Sequence, residues 1–183
     1  MSFRLPTALS LILSLMLSLS AGVVSAQSRV QLETESKKAL QHLLDTVEPA
    51  KTLNEKAVAV LVFPEVTKAG LLLGGQYGEG ALFKKGVVSG FYSTAGVSFG
   101  MQAGAQRYGY ALFFMNDAAL AALSKHDGFE VGVGPSVVVL DQGTARNVTT
   151  TTMNNGIYAF VFGQKGLMAG VGVQGNKITR LQH

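Results

Sequence analysis

The feature that most constrains this chain is glycine placed inside strand-like stretches rather than between them. There are 22 glycines in 183 residues. Glycine weakens a strand unless something needs the missing side chain. Its recurrence on one face therefore predicts strong curvature, or close approach of a helix or a second sheet. The cleanest period-2 stretch has Val97, Phe99, Met101, Ala103 and Ala105 alternating with Ser98, Gly100, Gln102, Gly104 and Gln106. Ala57–Phe63 is a continuous apolar run ended by Pro64, as expected of a buried strand. Phe129, Val131 and Val133 alternate with Glu130, Gly132 and Gly134. Ile157–Phe162, Leu167–Val173 and Lys177–Leu181 read as further short strands. Turns at Asn154-Asn155-Gly156, Gln164-Lys165-Gly166 and Gly175-Asn176 would separate them.

Two segments have helical spacing. Over residues 28–48, Leu32, Ser36, Leu40, Leu43, Leu44 and Val47 share a face, with charged and amide residues elsewhere. Ser28 with Gln31 resembles a capping box, and Pro49 reads as a stop. Two readings stand for this helix: docking on the core, or contact with a membrane. A shorter helix over Ala118–Lys125 would be capped by Asn116 or Asp117, with Leu120 and Leu123 inward. The expected fold is α+β: a mainly antiparallel, curved, barrel-like β-sheet with an N-terminal helix and one middle helix.

Residues 1–26 stand apart from this pattern. Arg4 precedes an apolar run from Leu9 to Leu19, and Val24-Ser25-Ala26 puts small residues at −3 and −1 before Gln27. That is the layout of a secretory signal peptide cleaved after Ala26. Residues 27–183 then form a single domain, exported to the periplasm or secreted.

Composition excludes much chemistry. With no cysteine there is no disulfide, thiolate metal site or cysteine nucleophile. His42, His126 and His183 form no ligand pair, so no metal site is expected. Gly170-Val171-Gly172-Val173-Gln174-Gly175 fits a dinucleotide fingerprint only in form. No acid follows it, and the 8 residues 176–183 leave little room for a helix to hold a pyrophosphate. There is no P-loop lysine and no nucleophile elbow. Asp127 and Glu130 lack a neighbouring base. The chain is expected to be non-enzymatic, without a cofactor.

Charge is more informative. Residues 27–79 carry six Lys/Arg and seven Asp/Glu, whereas residues 80–183 carry eight and four. The whole-chain charge of +4 is too mild for nucleic acid. Lys84-Lys85-Gly86 reads as an exposed basic turn, and Lys165 lies in another. Such lysines either serve solubility or, converging with Phe83 or Phe91 nearby, bind phosphate headgroups, each contributing about 1 kcal/mol near an anionic bilayer. Lys68, Lys84, Lys85, Arg107 and Lys165 are the candidate lipid-binding residues.

The chain resembles the SYLF lipid-binding family from about Glu33 to Leu181. The resemblance is carried by Lys56-Ala57-Val58-Ala59-Val60-Leu61-Val62-Phe63-Pro64 and by Lys68-Ala69-Gly70-Leu71-Leu72-Leu73-Gly74-Gly75 with Gly78-Glu79-Gly80. Met115-Asn116-Asp117 and Lys165-Gly166-Leu167-Met168-Ala169-Gly170-Val171 continue it. It implies non-catalytic binding of phosphoinositides or other acidic phospholipids by a peripherally membrane-associated protein. Phosphatidylglycerol or cardiolipin would be the ligand in a bacterial envelope. Some relatives also bind actin. An export signal and the lack of an SH3 pattern argue against actin as a partner here. A structural or adhesion-type envelope protein that binds a protein partner is the alternative.

Overall fold

The computed structural model describes residues 29–124, 129–131, 137–140 and 156–182. The signal-peptide segment, Ser28, Lys125, His126, Asp127, Gly132, Val133, Gly134, Asn154, Asn155 and His183 lie outside them.

Helix α1 spans Arg29–Thr46, and α2 spans Glu48–Lys56. Leu32, Ser36 and Leu43 are buried along one face of α1, followed by Val47 in the link. On its outer face, Gln31 donates to Glu35 (3.0 Å), Lys37 to Glu33 (2.6 Å) and Gln41 to Asp45 (2.7 Å), each pair one turn apart. Pro49 does more than stop this helix. Val47 is extended (φ −129°, ψ 95°), and Pro49 lies in the first turn of α2, where a missing N–H costs nothing. The second helix, unforeseen from sequence, buries Ala50 and Leu53.

Strands β1 (Ala59–Lys84), β2 (Val87–Phe114) and β5 (Ile157–Arg180) are long and continuous. They run side by side and antiparallel, in the order β1-β2-β5, from Ala59↔Phe114↔Ile157 to the far ends. Short β3 (Phe129–Val131) extends the sheet beside Ile178, and β4 (Val137–Leu140) pairs with Ile157–Phe160 in parallel. The sequence had suggested short strands punctuated by turns. Instead, Gln164-Lys165-Gly166 and Gly175-Asn176 lie within β5. There the chain deviates at Gly163 (φ 60°), inside the register slip opposite Arg107–Gly109, and at Gly166 (φ 95°), which stays paired with Gln106.

The long strands curve until the sheet folds back on itself. Between Leu71 and Leu73 the β1–β2 register slips, with Leu71 facing Ala103 and Leu73 facing Phe99. Past this bend, the second half of β1 lies against the first. A Cβ on Gly80 would overlap the Val62 carbonyl, and one on Gly70 would overlap the Gly74 backbone. The fold is therefore α+β with a curved, open, mainly antiparallel sheet.

The fold-over creates two cores. Alternate residues Ala59, Leu61 and Phe63 face the inside of the folded sheet, with Leu82, Tyr92, Leu112, Phe114, Leu120, Leu123 and Ile178. Val60 and Val62 face the helices, with Leu43, Leu53, Phe83, Phe113 and Phe160. This explains why Ala57–Phe63 reads as an unbroken apolar run: both of its faces are covered. Phe113 and Phe160 meet edge to face (5.4 Å, 78°). Helix α3 (Asp117–Ala121), continued by a 3₁₀ turn over Ala122–Ser124, buries Leu120 and Leu123, as expected. Its N-cap is Asn116, whose Oδ1 accepts from the Ala119 N–H (2.8 Å).

Candidate lipid-facing surface

The five candidate cations do not form one edge. Lys84 and Lys85 sit at the β1–β2 hairpin, where Lys85 (φ 50°) and Gly86 (φ 79°) make a two-residue turn with positive φ at both positions. The exposed basic turn is thus present. Beside it, Leu40, Leu44, Ala57 and Phe83 help line a cleft of about 530 Å³ with Lys37 and Lys85. Phe83 is buried in the helix-side core and cannot reach a headgroup. Phe91 is half-buried, with the Arg29 guanidinium 5.1 Å from its ring centre. The apolar face of α1 is likewise spent on the sheet, so the docked reading of that helix holds.

Arg107 and Lys165 form the second group. Thr67, Arg107 and Lys165 are in register across β1, β2 and β5 and project on the same exposed face. This row lies seven residues along β1 from Val60, which shares the cleft with Lys85. At strand rise that is about 23 Å. Glu65 approaches Arg107 to 3.7 Å, but both side chains are mostly exposed (58% and 64%). Such a pair contributes about 0–1 kcal/mol and leaves the guanidinium open to a better partner. Lys165 has no ion pair among the described residues. Lys68 is in the adjacent row with Gln106 and Gly166; strand alternation turns it to the other face, where it is half-buried.

Beyond the Arg107–Lys165 row lies a surface that cation counting missed. Leu71 (73% exposed), Leu73 (59%), Val97 (57%) and Tyr77 (52%) project from the bend. In sequence, Leu71-Leu72-Leu73 appears only within the segment that carries the family resemblance. The usable signal was the lack of charge on all three strands at once, which becomes visible only when they are set in register.

Beneath the bend a polar relay ties the layers together. Tyr108 Oη donates to Gln76 Oε1 (3.0 Å), and Gln76 Nε2 donates to Asn176 Oδ1 (2.5 Å). Burial pushes the Tyr108 phenol up to about 12 and raises that of Tyr110 further. Tyr77 is also pushed up to about 12, first by desolvation and then by donating to Glu79 (2.5 Å). All three phenols are neutral at physiological pH, so none supplies a base. No group of three or more His, Cys, Asp or Glu residues among the described residues could hold a metal ion, and no described helix is long and apolar enough to cross a membrane.

Residues 95–183 match the model of the family described as Ysc84, Las17-binding protein actin regulator. The match takes in most of β2, all of β5, Asn116 and both Arg107 and Lys165. The Lys56–Pro64 and Lys68–Gly75 segments precede it. No curated protein matches the chain.

Proposed function

From the premise that this chain belongs, through residues 95–183, to the SYLF (Ysc84) family, which is associated with lipid and actin-related binding, we propose that it is an exported, non-catalytic module that binds anionic phospholipid headgroups. The observation that carries this reading is the Arg107–Lys165 pair: two exposed cations in register on neighbouring strands, with a single weakly held carboxylate within reach. Two adjacent cations on a rigid sheet suit phosphate oxygens, and each contributes about 1 kcal/mol near an anionic leaflet. Phosphatidylglycerol and cardiolipin are the expected ligands. Actin is not part of the proposal, because residues 1–26 read as an export signal.

Vesicle co-sedimentation of the exported, purified protein tests this. It should pellet with phosphatidylglycerol vesicles and not with phosphatidylcholine vesicles, and binding should weaken with added salt. Arg107→Glu with Lys165→Glu should reduce binding by about tenfold or more, given those per-cation energies. Lys84→Glu with Lys85→Glu should have the smaller effect. Equal binding to both vesicle types would refute the headgroup mechanism.

A protein partner is the second reading. Its motivation is the outer edge of β1, which pairs only with β2 among the described residues and so presents unpaired backbone groups. Crosslinking to one specific envelope protein, without vesicle binding, would favour it.

A further inference from the structure

We infer that the bend of the folded sheet is a membrane-penetrating tip, seated at the headgroup–acyl boundary of an anionic bilayer while Arg107 and Lys165 engage phosphates at its rim. This rests on the headgroup-binding reading above and adds where, and how deeply, the protein touches lipid. Ala69–Gly78 of β1, Ala95–Gln106 of β2 and Gly166–Asn176 of β5 contain no Asp, Glu, Lys, Arg or His. The register brings these stretches together: Leu71↔Ala103↔Ala169, Leu73↔Phe99↔Val173 and Gly75↔Val97↔Gly175. A charge-free band three strands wide therefore runs across the bend.

Nothing among the described residues covers the apolar side chains that this band exposes. Of the six large apolar or aromatic side chains exposed among the described residues, four lie here: Leu71, Leu73, Tyr77 and Val97. Water-facing leucines clustered at a bend, next to a cationic row, mark an interaction surface rather than scattered surface apolarity.

Charge selects the occupant. At one end of the band, the next row outward on the exposed face is Thr67–Arg107–Lys165. At the other end, Lys177 is in register with Glu130, and Glu79 lies two residues beyond Tyr77, so no excess of cations gathers there. An anionic bilayer presents the complementary layering, phosphate above hydrocarbon. A second copy of this chain would set the same two cations against themselves. From Leu71 to the Thr67 row is about 13 Å along the strand, enough to seat leucines below phosphates at the depth of other interfacial elements. Tyr77 belongs at that boundary, where an apolar ring with a polar tip is favoured. Through the band β2 stays paired with β5 without a break, and its pairing with β1 resumes on both sides of the slip between Leu71 and Leu73, so most of its backbone is satisfied at the boundary.

The chain has no tryptophan, so a single introduced indole reports its own surroundings. The emission of Leu73→Trp should shift to the blue on phosphatidylglycerol vesicles. Brominated acyl chains should quench it at least about threefold more than Val30→Trp, placed on the exposed face of α1. Leu71→Asp with Leu73→Asp, at exposed sites where the fold should persist by circular dichroism, should weaken vesicle binding by about tenfold. If Leu73→Trp pellets with anionic vesicles while its indole keeps the emission it has in water, the tip is overturned and the headgroup reading survives. If nothing pellets, both fall. If that indole is already blue-shifted without lipid, in step with protein concentration, a second copy covers the band and the tip is again overturned.

Discussion

Gly80→Ala tests the fold-over on which the bend depends. The added methyl would meet the Val62 carbonyl oxygen, with Phe63 Cδ1 at 2.7 Å and the Val62 carbonyl carbon at 2.8 Å. Two of these three obstacles are backbone, so no rotamer change relieves them. The two layers must separate at a point where Leu61, Phe63, Val66 and Leu82 are packed together. Overpacking of this kind costs about 1–3 kcal/mol, and a backbone obstacle puts it at the upper end. For a domain of this size about 3 kcal/mol lowers Tm by about 6–12 °C. Gly75→Ala is the matched control in the same strand, because a Cβ there has only the Gly96 carbonyl at 4.0 Å. It should be neutral or slightly stabilising, since alanine loses less backbone entropy. Thermal and urea unfolding, followed by circular dichroism, measure both variants. If the two agree within about 0.5 kcal/mol, the halves of β1 are not in contact and the folded-over sheet is wrong.

Thr94 is fully buried, and its hydroxyl is the one buried side-chain polar atom without a partner among the described residues. Thr94→Val should therefore stabilise by about 1 kcal/mol in urea unfolding; a loss of stability would reveal a partner. Tyr108→Phe should cost about 1 kcal/mol at neutral pH by breaking the bond to Gln76. In the wild type the raised phenol keeps its contribution below the ordinary value near 10. Above that the unfolded chain ionises first, and stability drains away towards the folded value of about 12. The variant should fall by about 2 kcal/mol less across that window, allowing for partial solvent screening. Tyr110, shifted in the same direction, keeps some slope in both proteins. Asn116→Ala removes the side-chain cap of α3 and should cost about 1 kcal/mol, whereas Asn116→Asp should restore most of it.

Local rules carried the sequence reading a long way. Helical spacing located α1 and its buried face, because Leu32, Ser36 and Leu43 recur at the helical period. The unbroken run at Ala57–Phe63 announced a buried strand, and Asn116 or Asp117 announced a helix cap. In each case the signal lies within a few residues of its effect. The glycines were legible as a demand for curvature, though not as a location for it. Gly80 is spoken for by Val62, eighteen residues away in the chain, and no local pattern records that meeting.

The surface assigned to lipid separates in the same way. Residue chemistry picked out Arg107 and Lys165, far apart in sequence, as members of a loose set of five cations. Only strand pairing set these two side by side, turned Lys68 to the other face and left Lys84 and Lys85 at the hairpin. Leu71, Leu73 and Val97 are what core residues look like in one dimension. They point outward because a sheet folded on itself must have a convex side, and at the bend nothing described covers it. Composition and periodicity thus determined the kinds of element and the absence of cysteine chemistry. Which charges converge, and which apolar residues meet solvent, was decided by long-range register and by the direction in which the sheet bends.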